Sequence, residues 1–172
     1  MKKIKLVALV LLSLTFVLNV NAQRRKQRKA LYKSDYAIEV QTLGVGNDGT
    51  KLIKVWGFAK KVDQAVYKAK KNALLAAIFR GLPAGGGSAR TPAICGKSED
   101  YQNNQTFFDG FFADGGKYLQ YINMSTDGKP SGSNRLKLKK GYKCAIVVSV
   151  DYDNLRKYLE EQGVARRLDS GF

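Results

Sequence analysis

The alanine-rich segment between residues 61 and 79 constrains the fold of this chain more than any other feature. Its apolar residues recur at steps of three and four while its lysines lie off that stripe, so Lys61–Phe79 is predicted to be an amphipathic helix. Gly81 and Pro83 end it, because glycine accepts the left-handed conformation of a helix terminus and proline cannot continue a helix. A stripe built mostly of alanine indicates close packing against a β-sheet.

Strand patterns lie on both sides of this helix. Residues 36–41 alternate apolar and polar side chains, and after a glycine-rich turn Lys51–Phe58 is predicted to return as a second strand. Tyr118–Met124 is predicted to be a third strand. The segment Lys137–Tyr152 contains the longest strand, and its nearly continuous apolar run indicates a central position in the sheet.

A second main helix is predicted after the longest strand. Asp151 or Asp153 can cap its first turn, Leu155 and Leu159 belong to its inner stripe, and Gly163 ends it. This order of elements is typical of an α+β domain in two layers. We expect a mainly antiparallel sheet of about four strands, with two main helices on one face and a short phenylalanine-rich helix in an insert.

The insert has four phenylalanines in six positions, Phe107, Phe108, Phe111 and Phe112. Their spacing places two adjacent aromatic rows on one side of a short helix. Such rows either pack into the core or form an exposed patch for a protein, glycan or lipid partner. We take these residues, with the adjoining loop, as the first candidate for partner binding, and core packing is the alternative.

Lysines on the main helix form a second candidate binding surface. Lys60, Lys61, Lys68 and Lys71 lie off the apolar stripe. They either keep the exposed side of the helix solvated or bind an anionic partner.

The first 22 residues have the order of a secretory signal peptide. Three lysines precede an apolar run at residues 6–17, and Val20 and Ala22 supply the small side chains of a cleavage site. A transmembrane anchor would need roughly 20 apolar residues, and polar residues interrupt this run earlier. We therefore predict export to the periplasm, association with the outer membrane, or secretion.

The remainder is predicted to be one domain with two short extensions. Residues 23–33 are a basic arm that is either solvated or tethers the chain to an anionic surface. The single domain is expected at residues 34–163, and residues 164–172 form a tail.

A strong positive charge points to anionic partners. The chain has 30 Lys and Arg against 14 Asp and Glu, and without the three lysines of the signal peptide its net charge is +13. Such a charge favours lipid headgroups, acidic polysaccharide, an acidic protein face or nucleic acid. The alternative is that the lysines only keep a secreted protein soluble.

The residue types restrict the available chemistry. The chain has no histidine, so the commonest general base and metal ligand are missing. Cys95 and Cys144 are predicted to form a disulfide in an oxidising compartment, and a reactive thiol is the weaker alternative because no histidine can activate it. We expect neither a metal site nor a small-molecule cofactor.

Pairs of carboxylates leave a secreted hydrolase open as an alternative function. The pairs are Asp109 with Asp114, Asp151 with Asp153, and Glu160 with Glu161. Each has a simpler role in a helix, at a helix cap or on a solvated surface. The long loop at residues 81–101 contains GGGS, but no lysine stands at the position that a phosphate-binding loop requires after these glycines, and the segment follows a helix instead of joining a strand to a helix.

Two segments resemble a known family of envelope proteins. The piece VWGFAKKVDQAVYKAKKNALLAAIFRG, with Asn72 and Ala73, and the later piece YKCAIVVSVDYDNLRKYLEEQG are similar in layout to the N-terminal domain of flagellar assembly protein T and related small envelope lipoproteins. The resemblance covers about a third of the chain. This chain lacks the lipobox cysteine of those lipoproteins, and its phenylalanine-rich insert has no counterpart in the family. It implies a non-catalytic part in assembling or supporting envelope machinery.

These observations favour an exported protein that acts by binding a protein or an anionic envelope partner. The alternatives are a secreted hydrolase that works through carboxylates and, resting on charge and scattered tyrosines alone, a nucleic-acid-binding protein.

Overall fold

The computed structural model describes residues 38–46, 48–96, 98–125 and 129–167. The predicted signal peptide at residues 1–22 and the predicted basic arm at residues 23–33 lie outside these ranges. Residues 168–172 of the predicted tail lie outside them as well.

Within the described residues, five strands form one sheet in which every pairing is antiparallel. The strands are β1 (Val40–Val45), β2 (Lys51–Ala59), β3 (Ile122–Met124), β4 (Arg135–Leu138) and β5 (Gly141–Val150). The order is β1-β2-β5, and β3 and β4 lie one after the other along the remaining edge of β5. Strand β5 is therefore central, as its apolar run predicts.

Helices join and cover these strands. Helix α1 (Val62–Leu75) continues into a π-helical turn at Ala76–Arg80, and α4 (Tyr152–Glu161) follows β5 directly. The insert between them holds α2 (Ser98–Asn103), α3 (Gln105–Phe111) and a 3-10 turn at Lys117–Tyr121. Another 3-10 turn at Gly132–Asn134 precedes β4. The predicted α+β class, with its mainly antiparallel sheet, is confirmed.

Several predicted boundaries differ from the structure. Strand β1 extends through Val45, where the sequence pattern indicated a turn. Residues 118–121, expected at the start of a strand, belong to the 3-10 turn at Lys117–Tyr121, so that β3 has only three residues. The Lys-rich approach to β5 is itself a strand, β4, because it turns back and pairs with β5.

The inner face of the sheet packs against α1. Ile53 and Val55 of β2 are buried together with Ile146 and Val148 of β5, as the pairing register requires. A Cβ on Gly57 would overlap the Ala65 carbonyl oxygen and lie 2.6 Å from the Ala69 backbone nitrogen. The alanine stripe and this glycine thus let helix and sheet backbones approach closely, as the alanine-rich pattern predicts.

Both predicted ends of the main helices are confirmed by their backbone geometry. Gly81 ends the π-helical turn with a φ of 76°, and Gly163 follows α4 with a φ of 70°. The Asp151 side chain caps α4 by accepting a hydrogen bond from the Asn154 backbone N–H at 3.4 Å. The ordered domain continues past residue 163, since Val164 and Ala165 are buried.

The long glycine-rich loop packs on the edge of the sheet beside β1. Leu82 and Thr91 exchange two backbone hydrogen bonds, and the Thr42 hydroxyl donates to the Pro83 carbonyl oxygen at 2.5 Å. Gly86 has a φ of 55°, and a Cβ there would overlap the Leu43 carbonyl. The glycines of this loop therefore serve its close contact with β1.

Candidate functional site

A basic hairpin projects from one end of the sheet. Residues 135–143, RLKLKKGYK, contain five Lys and Arg and no acidic residue. They form β4, a two-residue turn at Lys139 and Lys140, and the start of β5, with Leu138 paired to Gly141. A Cβ on Gly141 would overlap the Ala59 carbonyl oxygen and lie 3.1 Å from the Lys60 Cα. This close contact places the hairpin turn beside the end of β2.

Apolar side chains lie on the outer face of the sheet next to this hairpin. The pairing register aligns Phe58 of β2, Lys143 of β5 and Leu136 of β4 in one row across the sheet. Phe58, Leu136 and Leu138 are 47%, 48% and 44% exposed. These side chains are large and apolar, and their exposure at one end of a sheet is a feature of interaction surfaces.

Lysines lie between and beside the apolar side chains of this face. The Lys54 and Lys143 ammonium groups lie 5.3 Å and 5.8 Å from the centre of the Trp56 ring, which belongs to the same face. Lys143 also forms an ion pair with Glu39. We name this surface the outer patch, made of Trp56, Phe58, Leu136, Leu138, Lys54, Lys60, Lys139, Lys140 and Lys143.

The outer patch was only partly predicted from the sequence. Among the predicted site residues, Lys60 is exposed just past the end of β2, and its Cα lies beside Gly141 of the hairpin. Trp56, Phe58 and Leu136 were missed as site residues, although the alternation of leucine and lysine in RLKLKK is a sequence signal of an exposed, amphipathic edge strand.

The other predicted lysines lie elsewhere and differ among themselves. Lys61 stands at the start of α1, and both Lys61 and Lys68 are exposed. Lys71 instead turns inward, with a side chain that is only 16% exposed. The four lysines therefore do not form one uniform solvated surface.

Lys71 belongs to a compact polar cluster between α1 and the turn that follows α3. Its ammonium lies 3.5 Å from an Asp114 carboxylate oxygen and 4.5 Å and 5.6 Å from the centres of the Tyr67 and Tyr118 rings. The Tyr67 hydroxyl donates a hydrogen bond to the same carboxylate at 2.5 Å. The cluster ties the insert to the main helix.

Burial and hydrogen bonding set the protonation of this cluster. Burial lowers the pKa of Lys71 because it disfavours the charged ammonium, and the Asp114 carboxylate offsets this only in part. The hydrogen bond from Tyr67, with the nearby Lys71 charge, lowers the pKa of Asp114. Burial, followed by the bond to Asp114, raises the pKa of Tyr67.

The phenylalanine-rich helix packs into the core, so the candidate binding patch at Phe107, Phe108, Phe111 and Phe112 is not an exposed surface. Phe108, Phe111 and Phe112 are buried, and Phe107 is half-buried against the Tyr158 ring of α4. Phe108 packs edge-on against Phe79 at 5.0 Å between ring centres. The alternative, core packing, holds because the aromatic rows fill the space between the π-helical turn and α4.

The prediction of a disulfide is also wrong. Cys95 and Cys144 are both free and buried. Cys144 lies on the inner face of β5 in a cluster with Ala59 and Ala65. The Cys95 thiol donates instead to the Val164 carbonyl oxygen at 3.5 Å, in the region packed against α4. The two thiols thus belong to different parts of the core.

Burial makes both thiols poor nucleophiles. It raises the pKa of Cys95 to about 12, with a further contribution from the charge of Asp100. Burial raises the pKa of Cys144 as well. Since the thiolate is the reactive form, neither group has the environment of a catalytic cysteine.

Several of the predicted carboxylates have structural partners. Asp151 caps α4 and accepts a second hydrogen bond from the Asn154 side-chain amide at 2.8 Å. Glu160 pairs with Arg156 at 3.1 Å, one turn away on α4. Asp114 belongs to the Lys71 cluster. In the part of the chain that the structure describes, no group of three or more His, Cys, Asp or Glu is placed to hold a metal ion.

No family model, curated protein or solved structure matches the chain. The resemblance to flagellar assembly protein T therefore stays a prediction. Among the described helices, none is long and apolar enough to cross a bilayer.

Proposed function

We propose that this chain is an exported, non-catalytic protein of a bacterial cell envelope that acts by binding an anionic partner through the outer patch. The partner is either an acidic face of an envelope protein or an anionic surface such as lipid headgroups or acidic polysaccharide. Residues 1–22 support export by their order of charged, apolar and small side chains.

One observation carries the proposal. Half-exposed apolar side chains from β2 and β4 lie beside a hairpin turn that has lysines and no acid. Cations attract an anionic partner over a distance, and apolar side chains add affinity once it is in contact. A surface that served only solubility would need the lysines but not the exposed apolar side chains.

Charge neutralisation in the outer patch tests this proposal. Lys139→Gln combined with Lys140→Gln removes two charges from the hairpin turn, whereas Lys68→Gln combined with Lys157→Gln removes two exposed charges from α1 and α4. Binding to immobilised polyglutamate, acidic polysaccharide and anionic vesicles is measured for both variants over a range of salt concentrations.

We expect the hairpin variant to lose affinity for at least one probe and to show a shallower salt dependence, while the helix variant keeps the affinity of the unchanged chain. Equal loss in both variants would assign binding to net charge alone and contradict the proposal. Turnover of a glycan or peptide substrate that a single Asp or Glu substitution abolishes would contradict its non-catalytic part.

A further inference from the structure

We infer that the partner of the outer patch is a phospholipid bilayer with anionic headgroups, and that Phe58, Leu136 and Leu138 insert into its interfacial layer. This inference rests on the proposed function and narrows its partner from anionic partners in general to a lipid surface.

The apolar part of the outer patch favours a bilayer over a soluble polyanion. Phe58 and Leu136 flank Lys143 in one row, and Leu138 lies next to the hairpin turn on the same face, so the three apolar side chains share one end of the sheet with lysines between and beside them. Polysaccharide and nucleic-acid backbones offer little that such side chains can bury. At the boundary between headgroups and acyl chains, a bilayer buries apolar side chains while its anionic headgroups bind the neighbouring lysines.

The cations have the reach that an interface requires. Lys139 and Lys140 are exposed at the turn, and Lys54 and Lys143 flank the Trp56 ring. Lysine side chains extend along apolar surface and keep their ammonium groups at the headgroups. Tryptophan itself is enriched at the boundary between headgroups and acyl chains.

Electrostatic repulsion argues against two other occupants of the outer patch. A second copy of the chain would bring the same lysines to the contact. The segment at residues 23–37 contains six Lys and Arg against one acidic residue, so it too carries the charge of the patch. Neither occupant complements a surface in which Glu39 is already paired with Lys143.

The exposure of β4 on both faces favours a bilayer over an acidic protein. Leu136 and Leu138 belong to the outer face, while Arg135 and Lys137 belong to the opposite face, and all four are exposed. A rigid partner docked on the outer face would leave Arg135 and Lys137 without contact. Lipid headgroups diffuse laterally and can gather around the whole strand.

The single tryptophan of the chain reports directly on insertion. The chain from Gln23 onward is mixed with phosphatidylcholine vesicles that either contain or lack phosphatidylglycerol. We expect partitioning only with phosphatidylglycerol, together with a blue shift of Trp56 emission and its quenching by lipids brominated along the acyl chain.

Two double variants separate charge from insertion. Each lysine near an anionic surface contributes about fivefold to partitioning, so Lys139→Gln with Lys140→Gln should lower it about thirtyfold. Leu136→Ser with Leu138→Ser should lower it at least about tenfold and abolish the blue shift. Lys68→Gln with Lys157→Gln is the matched control and should leave both readouts unchanged. Phe58→Ser serves as a second insertion variant on the separate strand β2.

Each other outcome overturns the inference in a distinct way. If the chain partitions but Trp56 emission does not shift, or if the leucine and phenylalanine variants partition as well as the unchanged chain, no side chain inserts. The lysines then serve electrostatic contact or protect an edge strand. If the chain binds polyglutamate but not vesicles, the proposed function is retained and a bilayer is rejected as the partner. A blue shift that grows with protein concentration in the absence of vesicles assigns the patch to a second copy. If the chain binds none of the anionic probes, the proposed function is contradicted as well.

Discussion

The two faces of the sheet are built from alternate residues of the same strands but serve opposite purposes. On β2, Ile53, Val55 and Gly57 are buried under α1, whereas Trp56 and Phe58 lie on the outer face with lysines around them. The inner face gains its stability from the close approach of backbones. The outer face exposes apolar area that costs solubility, and the surrounding lysines offset that cost. Residue parity therefore separates the packed face of β2 from the face that carries the proposed binding surface.

Gly57→Val is expected to have the largest effect on this comparison. Valine suits a strand, but its side chain would overlap the Ala65 carbonyl, so we expect the free energy of unfolding to fall by more than about 4 kcal/mol. Phe58→Val places the same residue on the outer face and should cost less than about 1 kcal/mol. Urea unfolding followed by circular dichroism measures both. Similar losses would contradict the assignment of the two faces.

Phe108→Ala is expected to rank second. The side chain is fully buried against Phe79, so its removal should lower the free energy of unfolding by about 3 kcal/mol. Phe107→Ala, at the half-buried neighbouring position, should cost about 1 kcal/mol. Denaturant unfolding of the two variants gives the difference, and the reverse order would restore the interpretation of this motif as an exposed patch.

The buried Cys95 thiol predicts a specific loss of stability at high pH. Its pKa is raised to about 12 in the folded chain from an ordinary value near 9, so the folded state retains a proton that the unfolded state releases. This contribution is complete below pH 9 and is lost as the pH rises towards 12, at about 1 kcal/mol per pH unit.

Cys95→Ala should therefore make the fall of stability over this pH window shallower than in the unchanged chain. Unfolding curves at several alkaline pH values measure the slope, and equal slopes would count against burial of the thiol. In the same protein without reductant, alkylation should label both cysteines after unfolding and neither before. A mass that indicates a linked pair would contradict the free thiols.

The smallest effect is expected on the outer face itself. Leu136→Ser with Leu138→Ser removes two half-exposed side chains, so we expect the free energy of unfolding to change by less than about 0.5 kcal/mol while anionic vesicle binding falls. Thermal unfolding checks the first part. A large destabilisation would show that β4 contributes to the core. Loss of vesicle binding in this variant could then reflect unfolding, and Phe58→Ser on β2 would test insertion instead.

Local patterns predicted most of the elements. The steps of three and four in the alanine-rich segment located α1, and Gly81 and Asp151 marked a helix end and a helix start because their roles depend only on neighbouring backbone groups. The same reasoning assigned all of residues 118–124 to one strand, because a 3-10 turn and a short strand share one apolar pattern.

The candidate site was harder to predict than the fold. The same sequence pattern fits both a buried and an exposed phenylalanine-rich helix, as at Phe107, Phe108, Phe111 and Phe112. Only the contacts with Phe79 and Tyr158, which are distant in sequence, decide that the helix is packed into the core. Phe58 and Leu136 are far apart in the chain, so no local pattern brings them together.

By itself, the sequence determined the α+β class, the central strand, the close packing of an alanine-rich helix on a sheet, and the strong positive charge. These properties follow from periodicity and composition, which act over a few residues or over the whole chain. The tertiary structure alone decided that Cys95 and Cys144 stay free in different surroundings, that Lys71 turns inward, and that β4 folds back beside β5, which places Leu136 in the same row as Phe58. Those outcomes depend on which distant surfaces meet, and that is set by the balance of burial and pairing across the whole domain.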